Sequence, residues 1–203
     1  MPVHFRCFQG PDLAPHLDAL GQLRIEVFRE FPYLYDGSLE YERAYLQTYV
    51  ESPRSLVILV FDEDADNTVV GATTCVPLAD EGPDFQAPFL ALGIPVETVC
   101  YFGESILLPA YRGQGLGKQF FDLRQAYAES LPGIQVTAFC AVDRPADHPR
   151  RPTDYRSLDA FWERQGYLKH PELQCEFRWR EIDEAGETPK TLTFWLRETP
   201  ETP

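Results

Sequence analysis

Basic side chains are scarce in this chain of 203 residues, which has 18 Lys and Arg against 32 Asp and Glu. The net charge of −14 argues against a nucleic-acid partner, because contact with phosphates requires a basic face. It suits a cationic partner such as an amine, although solubility explains the charge equally well. The basic residues are also unevenly placed. Two flank a glycine-rich loop and four cluster later (Arg112 and Lys118; Arg144, Arg150, Arg151 and Arg156).

Long apolar runs are absent too, so we expect no membrane contact, and residues 1–4 do not begin a signal peptide. The cysteines are odd in number, scattered and without a Cys-x-x-Cys pair (Cys7, Cys75, Cys100, Cys140, Cys175). Buried free thiols in a reducing cytoplasm are therefore the expected state. The four histidines show no metal-ligand spacing, and we expect no metal.

Hydrophobic residues make up 44% of the chain and aromatic residues 13%, which predicts a globular protein. No repeat or linker divides it, so residues 1–203 are expected to form a single domain. Hydrophobic periodicity predicts the order β-α-α-β-β-β-α-β-α-β-β. Residues 78–96, rich in Pro, Gly, Phe and Leu, are predicted to be a long ordered loop.

The most informative stretch is residues 107–118, where an apolar strand enters a glycine-rich turn and an amphipathic helix follows. Such a turn leaves free N–H groups at a helix N-terminus, where the helix dipole also favours an anion. A P-loop is excluded, because it needs Gly at position 112 and Ser or Thr at 119, where Arg112 and Gln119 stand. A dinucleotide-binding loop needs its third glycine at position 118, which is Lys118.

What remains is Arg112-x-x-Gly115-x-Gly117, preceded by Pro109-Ala-Tyr-Arg-Gly. This stretch resembles the pyrophosphate loop of the GNAT superfamily of acyl-CoA-dependent N-acyltransferases. The predicted order of elements is also the GNAT order, so the resemblance covers most of the chain. It implies an α+β (α/β layered) fold, a single GNAT-like domain with a mixed, mostly antiparallel sheet of about seven strands flanked by helices. It also implies acetyl-CoA as the acyl donor.

The resemblance places the cofactor on the strand and loop. The backbone of Ile106, Leu107 and Leu108 would pair with the pantetheine arm as an added strand, with Leu107 or Leu108 N–H meeting the thioester oxygen. Phe161, in a segment similar to the family's Phe-Tyr-x-x-x-Gly-Phe element, would pack near the thioester. The pyrophosphate would lie on the loop amides, with two cations beside them (Arg112, Gly113, Gln114, Gly115, Leu116, Gly117, Lys118). A tight turn without a ligand is the alternative interpretation.

Acyl transfer to an amine requires removal of an amine proton, donors for the oxyanion and a proton for the leaving thiolate. The family commonly uses direct attack in a ternary complex, so no side-chain nucleophile is expected. Glu104 is the first candidate base and Glu97 the second, but an arginine-paired structural carboxylate explains Glu104 equally well. The family's usual tyrosine acid is replaced by Trp162, whose indole is too weak an acid. Tyr155 is the candidate substitute, with ordinary packing as its alternative role.

Residues 143–156 form a connection that is longer than in typical family members, and it is expected to wall the acceptor pocket. Arg150 and Arg151 are candidates for holding an acceptor carboxylate. Asp143 is a candidate for holding an amine. His148 is a further candidate base, although loop histidines are more often simply solvated.

Together these features predict a cytoplasmic N-acetyltransferase that moves an acetyl group from acetyl-CoA to the primary amine of a small molecule. An acceptor carrying both charges, such as an amino-acid-like metabolite, is preferred. Two other functions stay open. A non-catalytic acyl-CoA-binding module is favoured by Trp162, and a protein or peptide N-terminal acetyltransferase would need an open groove. Aromatic residues in the final strands, if exposed, suggest a homodimer.

Overall fold

The computed structural model describes residues 2–199, and within that range the chain forms seven β-strands and five α-helices. The strands are β1 (Val3–Phe8), β2 (Leu56–Asp62), β3 (Thr68–Pro77), β4 (Val99–Leu107), β5 (Val136–Val142), β6 (Leu168–Trp179) and β7 (Thr188–Glu198). The helices are α1 (Leu17–Phe28), α2 (Leu39–Glu51), α3 (Pro83–Ala91), α4 (Leu116–Ser130) and α5 (Asp159–Arg164).

All seven strands belong to one sheet, in the order β1-β2-β3-β4-β5-β7-β6. Every neighbouring pair is antiparallel except β4 and β5, which run parallel. Parallel neighbours require a crossover connection, and α4 supplies it. The predicted fold class, a mixed and mostly antiparallel sheet of seven strands flanked by helices, is confirmed.

Two apolar layers enclose the sheet. Helices α1, α2 and α3 cover one face, where side chains such as Leu20, Leu46 and Phe89 are fully buried. Helices α4 and α5 cover the other face, where Phe121 packs with the side chains of the central strands. All seven residues of β2 are buried, which explains the continuous rather than alternating apolar run in its sequence.

Helix α3 corrects the prediction of a long loop over residues 78–96. Pro83 stands at the first helical position, where a proline is tolerated because its missing N–H would have no partner. Phe85 and Phe89, four residues apart, are buried on one face of this helix. The Phe89 ring lies 4.9 Å from that of Phe194 in β7. Because prolines surround this short apolar repeat, the sequence pattern did not indicate a helix.

Three aromatic residues of the last strands are buried: Trp179, Phe194 and Trp195 are 9%, 0% and 2% exposed. Phe177 of β6 is partly buried. The three buried rings belong to the core, so the predicted homodimer does not rest on them. Among the helices of residues 2–199, none has both the length and the apolar character needed to cross a membrane.

Candidate active site

The centre of the sheet opens into a cleft between β4 and β5. These strands pair over three positions only, from Val99 with Val136 to Tyr101 with Ala138. Beyond Tyr101, in the part of the chain that the structure describes, β4 pairs only with β3 and β5 only with β7. The facing strand edges, residues 102–107 and 139–142, therefore present backbone groups without a strand partner. We call this gap the cleft.

Alternation along β4 decides which backbone groups face the cleft. The N–H of Leu108 donates to Val70 O at 2.9 Å and so belongs to the β3 side. Because successive residues of a strand point their backbone groups to opposite edges, those of Ile106 also face β3 and those of Leu107 face the cleft. Of the three predicted backbone partners for pantetheine, Leu107 alone is placed for that role. Leu108 is also excluded as the oxyanion donor.

The glycine-rich loop leads from β4 into α4 and leaves its amides free. Gly113 and Gly115 have φ angles of 75° and 84°, a region that glycine adopts at little cost. The first backbone bonds of α4 run from the N–H groups of Lys118 and Gln119 to Gly115 O. Within residues 2–199, the N–H groups of residues 113–117 donate to no protein acceptor. They form an anion-binding nest of the kind expected at a helix N-terminus.

Open space lies around the two left-handed glycines. A Cβ built on Gly113 or Gly115 would meet no heavy atom within 4 Å. Their backbone angles, not crowding by protein atoms, therefore require glycine. A Cβ on Gly117 would come 3.9 Å from Phe161 Cζ, so Phe161 of α5 packs against the start of α4. The structure brings this ring and the loop together, as the sequence suggested.

Both predicted loop cations are exposed and already carry a carboxylate partner. Arg112 Nη1 lies 2.7 Å from Glu30 Oε2, and Arg112 Nε donates to Leu107 O at 2.9 Å. Lys118 Nζ lies 2.6 Å from Asp122 Oδ2. Exposed ion pairs of this kind are weak, so an incoming phosphate can compete for either cation.

A β-bulge in β4 directs Glu104 towards the face covered by α1 and α2. Gly103 and Glu104 both stand opposite Thr74, where the register of β3 and β4 shifts. Bulges often re-aim side chains beside active sites. Glu104 is 4% exposed, and its Oε2 lies 2.5 Å from Nη1 of Arg24 in α1. Of the two sequence interpretations, the arginine-paired carboxylate describes the structure.

Arg24 holds a second carboxylate as well. Its Nε donates to Glu42 Oε2 at 2.5 Å, and its guanidinium lies 4.3 Å from the ring centre of Tyr45. Burial acts to lower the pKa of Arg24, but the charges of Glu104 and Glu42 raise it well above its usual value. Burial raises the pKa of Glu104, and Arg24 opposes that rise. One buried cation thus compensates two carboxylates.

A second buried arginine supports the bulge from the opposite face. Arg124 of α4 is 2% exposed, and its Nη1 lies 3.3 Å from Glu104 O and 3.4 Å from Thr74 O. Burial lowers its pKa. Sequence reasoning overlooked Arg24 and Arg124. Each lies on the buried side of an amphipathic helix, and a cation in an apolar stripe was the available signal.

Tyr33 reaches the cleft at the end of β5. The N–H of Asp143 donates to Thr191 O of β7 at 2.9 Å, so the backbone of Val142 points the other way, into the cleft. The Tyr33 hydroxyl lies beside it. Burial raises the Tyr33 pKa, and hydrogen bonding with the Val142 backbone acts in the opposite direction. The sequence analysis did not identify Tyr33, whose hydroxyl the structure places beside the Val142 backbone.

The connection after α1 is fastened to the connection between β6 and β7. Asp36 N–H donates to Arg180 O and Ile182 N–H donates to Leu34 O, each at 2.9 Å. Arg144 Nη2 lies 2.6 Å from Glu181 Oε1 and also donates to Tyr33 O at 3.1 Å. We call this pairing, residues 31–36 with residues 180–182, the clasp.

Outside the clasp lies a cavity of about 320 Å³, which we call the outer pocket. Its charged walls comprise both signs and its aromatic walls belong to three elements (Asp36, Arg178, Arg180 and Glu187; Tyr35, Tyr41 and Trp179). Such a volume lies in the range of small-molecule sites.

The predicted acceptor-binding side chains already contact other protein groups. Asp143 accepts from Lys169 Nζ at 3.1 Å and Thr193 Oγ1 at 2.6 Å. Arg150 is ion-paired with Asp183. Residues 143–156 do lie against the clasp. Asp143 and Arg150, however, are held by these protein groups and do not extend freely into the cleft.

His148 and Tyr155, the two residues of this connection that were predicted to transfer protons, also contact other protein groups. His148 Nδ1 accepts from Arg150 N–H at 3.2 Å. Tyr155 lies edge-on to Phe31 with ring centres 4.7 Å apart, and the Arg151 guanidinium stands 4.9 Å from its ring centre. Burial raises the Tyr155 pKa. Tyr155 therefore has the packing role that was its alternative interpretation. His148 and Arg151 both contact neighbouring groups of the same connection.

The remaining candidates lie away from the open part of the cleft or are held in the core. Glu97 is exposed in the turn Val96–Thr98, at the end of β4 where the strands are still paired. Trp162 packs between Phe139 and Trp195, with ring centres at 5.0 and 5.1 Å. Among residues 2–199, no three His, Cys, Asp or Glu side chains are grouped to hold a metal ion.

Comparison with known proteins agrees with this geometry. The chain is similar to Arabidopsis thaliana NAA60 in complex with a bisubstrate analogue, at 12% identity, 98% and 100% coverage of the two chains and a TM-score of 0.61. It is similar to an acetyltransferase from Thermus thermophilus, at 18% identity, 98% coverage of both and a TM-score of 0.54. It is also similar to a putative phosphinothricin N-acetyltransferase, at 13% identity, 98% and 100% coverage and a TM-score of 0.61.

These structural likenesses, at such low identity, establish the fold. A search of curated protein sequences finds no significant match. The family model described as the acetyltransferase (GNAT) family matches residues 20–167, a span from α1 through the glycine loop to the end of α5. The chain therefore belongs to the GNAT acetyltransferase family.

Proposed function

We propose that this protein transfers an acetyl group from acetyl-CoA to the primary amine of a small molecule by direct attack in a ternary complex. The free N–H nest of residues 113–117, at the mouth of the cleft, is the observation that carries the proposal. Among the relatives, Arabidopsis thaliana NAA60 has been determined with acetyl-CoA and the NatC complex with CoA. The nest, its open surroundings and the free edge of β4 fit such a donor.

Each of these groups has a distinct binding role. The amides of residues 113–117 would bind the pyrophosphate, with Arg112 and Lys118 released from their carboxylate partners to face it. The backbone of Leu107 would pair with the pantetheine arm, and its N–H would donate to the charge that develops on the thioester oxygen. Phe161, against the start of α4, would cover the apolar part of the donor.

Proton transfer requires a hydroxyl near the leaving thiolate, and Tyr33 is our candidate. It reaches the cleft beside Val142, whereas the Tyr155 ring packs edge-on against Phe31. Burial raises the pKa of Tyr33, so the hydroxyl stays protonated at neutral pH and would donate a hydrogen bond to the departing thiolate. With Tyr33 in this role, the protein needs no acid at the position of Trp162. The absence of an acid there was the feature that favoured a non-catalytic acyl-CoA-binding module.

The clasp favours a small acceptor over a polypeptide. Its two backbone hydrogen bonds and the Arg144–Glu181 ion pair join the loops that would have to separate for an extended chain. Beside it, the outer pocket offers about 320 Å³ and walls with charges of both signs. Asp36 and Arg180 in these walls are paired with each other, and a substrate would compete with that exposed pair. An amino-acid-like amine suits this mixture. Acetylation of a peptide N-terminus is the second candidate, since NAA60 and a NatC complex bound to Gag peptide are relatives.

We also infer a cytoplasmic location, and four of the five cysteines support it, whereas Cys7 is exposed. Cys75, Cys100, Cys140 and Cys175 are buried free thiols, which suits a reducing cytoplasm.

The test is release of free CoA thiol from acetyl-CoA across a panel of amines. The panel contains free amino acids, simple alkylamines and a short peptide with a free N-terminus, each at several concentrations. We expect release with at least one small amine and little with the peptide. Release with the peptide alone would favour the second candidate. Binding of acetyl-CoA without release under any amine would favour the non-catalytic module.

A further inference from the structure

Tyr111 joins the start of the glycine-rich loop to a distant strand through a buried hydrogen bond. It ends the turn Pro109–Tyr111, directly before Arg112, and is 7% exposed. Its hydroxyl donates to Oδ2 of Asp62, the last residue of β2 and 49 positions earlier in the sequence. Asp62 is 2% exposed, so the bond lies in low-dielectric surroundings, where it is stronger than in water.

The Asp62 carboxylate is held in place to receive this bond. Its other oxygen, Oδ1, accepts from Asp64 N–H at 2.8 Å in the turn after β2. The hydrogen bond from Tyr111 lowers the pKa of Asp62, so the group is ionised at neutral pH and acts only as an acceptor. A hydroxyl that donates to a carboxylate forms one of the stronger hydrogen bonds in proteins. Asp62 therefore provides a charged attachment point for the start of the loop.

The other side-chain contacts of the loop are exposed or local. Arg112 pairs with Glu30, and both side chains are more than 40% exposed. Gln114 Nε2 donates to Ala110 O at 2.9 Å, a contact within the loop region itself. Within residues 2–199, Tyr111 thus forms the one buried side-chain hydrogen bond that joins residues 109–117 to another element.

Packing brings the two ends of the loop to the same place. The Tyr111 ring, before the nest of residues 113–117, belongs to the same buried cluster as Leu116, at the start of α4. Two valines of neighbouring strands and a phenylalanine of α4 complete the cluster (Val60, Val70 and Phe120). Because glycine is the most flexible residue, the glycines between these two anchors keep their arrangement only while both anchors hold.

We propose that Tyr111 is a positioning residue, whose hydrogen bond to Asp62 holds the amides of the nest in the arrangement that binds the pyrophosphate of acetyl-CoA. This inference rests on the proposed function. A nest that is ordered before binding loses less conformational entropy when the donor arrives. The benefit goes to donors that carry a pyrophosphate. Tyr111 therefore contributes to a preference for acetyl-CoA over an acetyl thioester of pantetheine alone.

Calorimetric titration with acetyl-CoA tests this role in Tyr111→Phe, with Tyr127→Phe as the matched control. Tyr127 lies towards the other end of α4, where its hydroxyl accepts from Gln9 Nε2 at 2.8 Å and donates to Arg54 O at 3.2 Å. Tyr111→Phe keeps the ring but should weaken acetyl-CoA binding about tenfold, the loss expected for one hydrogen bond to a charged group. Tyr127→Phe should bind as wild type does. Equal affinity in wild type and Tyr111→Phe would overturn the proposal.

A donor without pyrophosphate separates positioning of the nest from a general loss of structure. S-acetylpantetheine has the thioester and the pantetheine arm, so its kcat/KM with an accepted amine should be the same in wild type and Tyr111→Phe. With acetyl-CoA, kcat should stay unchanged and the effect should be confined to KM. An equal loss of kcat/KM for both donors would show a purely structural role and would overturn the proposal.

Variants of Asp62 test the partner and cover the case in which Tyr111→Phe does not fold. Asp62→Ala removes the acceptor and should match Tyr111→Phe, whereas Asp62→Asn keeps an acceptor oxygen and should weaken acetyl-CoA binding less. The double variant Tyr111→Phe/Asp62→Ala should bind no more weakly than either single variant, because both remove one interaction. Wild-type affinity in Asp62→Ala would overturn the proposal. If wild type binds no acetyl-CoA, the proposed function fails; if it binds and both single variants match it, the positioning role alone fails.

Discussion

Arg24 Nη1 lies 2.5 Å from Glu104 Oε2, so a helix residue and a strand residue 80 positions apart form a buried ion pair in the cleft wall. The same guanidinium binds Glu42. Both carboxylates are thus held by one guanidinium, and the Glu104 carbonyl is held by Arg124 from the other face of the sheet. The pair fixes the bulge beside Gly103, and we assign Glu104 a positioning role.

Replacement of Arg24 should therefore lower the free energy of unfolding by an amount that depends on pH. Arg24→Met leaves Glu42 and Glu104 buried without a cation, which should lower the free energy of unfolding by roughly 3–5 kcal/mol. Burial raises the pKa of Glu104, and Arg24 opposes that rise. Without Arg24 the folded-state pKa of Glu104 lies further above its unfolded value, so stability is lost as the pH rises. Urea denaturation should show a larger loss at pH 8 than at pH 5. Arg43, which forms an exposed ion pair with Asp18, provides the control. Arg43→Met should lower the free energy of unfolding only slightly, and an equal loss in both variants would contradict the account.

Removal of the Tyr33 hydroxyl should slow the chemical step. Tyr33→Phe keeps the packing of the ring but removes the group beside Val142, and kcat should fall by about 10²-fold with an unchanged KM for acetyl-CoA. Tyr155→Phe is the matched variant, since that ring packs on Phe31 and its hydroxyl was the acid predicted from the sequence. Steady-state kinetics of the two variants show which hydroxyl takes part in the chemical step. A loss in Tyr155→Phe with full activity in Tyr33→Phe would reverse the assignment.

The Arg112–Glu30 ion pair should compete with acetyl-CoA for the guanidinium. Glu30→Gln frees Arg112, and since exposed ion pairs are worth up to about 1 kcal/mol, acetyl-CoA should bind up to about fivefold more tightly. The gain should shrink at high salt. Calorimetric titration of wild type and Glu30→Gln at two salt concentrations measures this. Weaker binding in the variant would show that Glu30 helps to place Arg112 instead of restraining it.

Burial of Glu81 should make the fold less stable at high pH. Its pKa rises to about 7 from 4.5, so the folded state binds a proton that the unfolded state has already released. That contribution is complete below pH 4.5 and is lost as the pH rises through 7. Relative to Glu81→Gln, wild type should lose about 3 kcal/mol of unfolding free energy across this window. A constant difference between the two proteins at all pH values would contradict the buried, unpaired state of Glu81.

Features carried by neighbouring residues could be predicted from the sequence. The glycine loop is one: Gly113, Gly115 and Gly117 follow an apolar strand and begin an amphipathic helix, so the spacing alone indicated an anion-binding turn. The succession of helices and strands along the chain, apart from α3, followed from alternating and continuous apolar runs. Helix α3 was missed because Pro83 and Pro88 interrupt the apolar repeat of Phe85 and Phe89.

Pairings between distant elements could not be predicted in this way. Nothing local joins Arg24 to Glu104, or Tyr33 to Val142, since α1, its following connection and the central strands meet only in the folded sheet. The partners of the loop arginines could not be predicted for the same reason. Arg150 faces Asp183 across two connections that are far apart in the sequence, so its exposed appearance in a polar segment gave no sign of a partner.

Binding of acetyl-CoA to Gly115→Glu tests the central claim most directly, with Gly133→Ala as the control. Gly133 has a similar φ of 82° and equally open surroundings, but it follows α4 instead of preceding it. In thermal melts at about 100 times Kd, acetyl-CoA should stabilise wild type by about 2.7 kcal/mol, roughly 5–10 °C in Tm. Gly133→Ala should keep that shift, and Gly115→Glu should lose it. Absence of a shift in wild type at millimolar acetyl-CoA, or an undiminished shift in Gly115→Glu, would contradict the account.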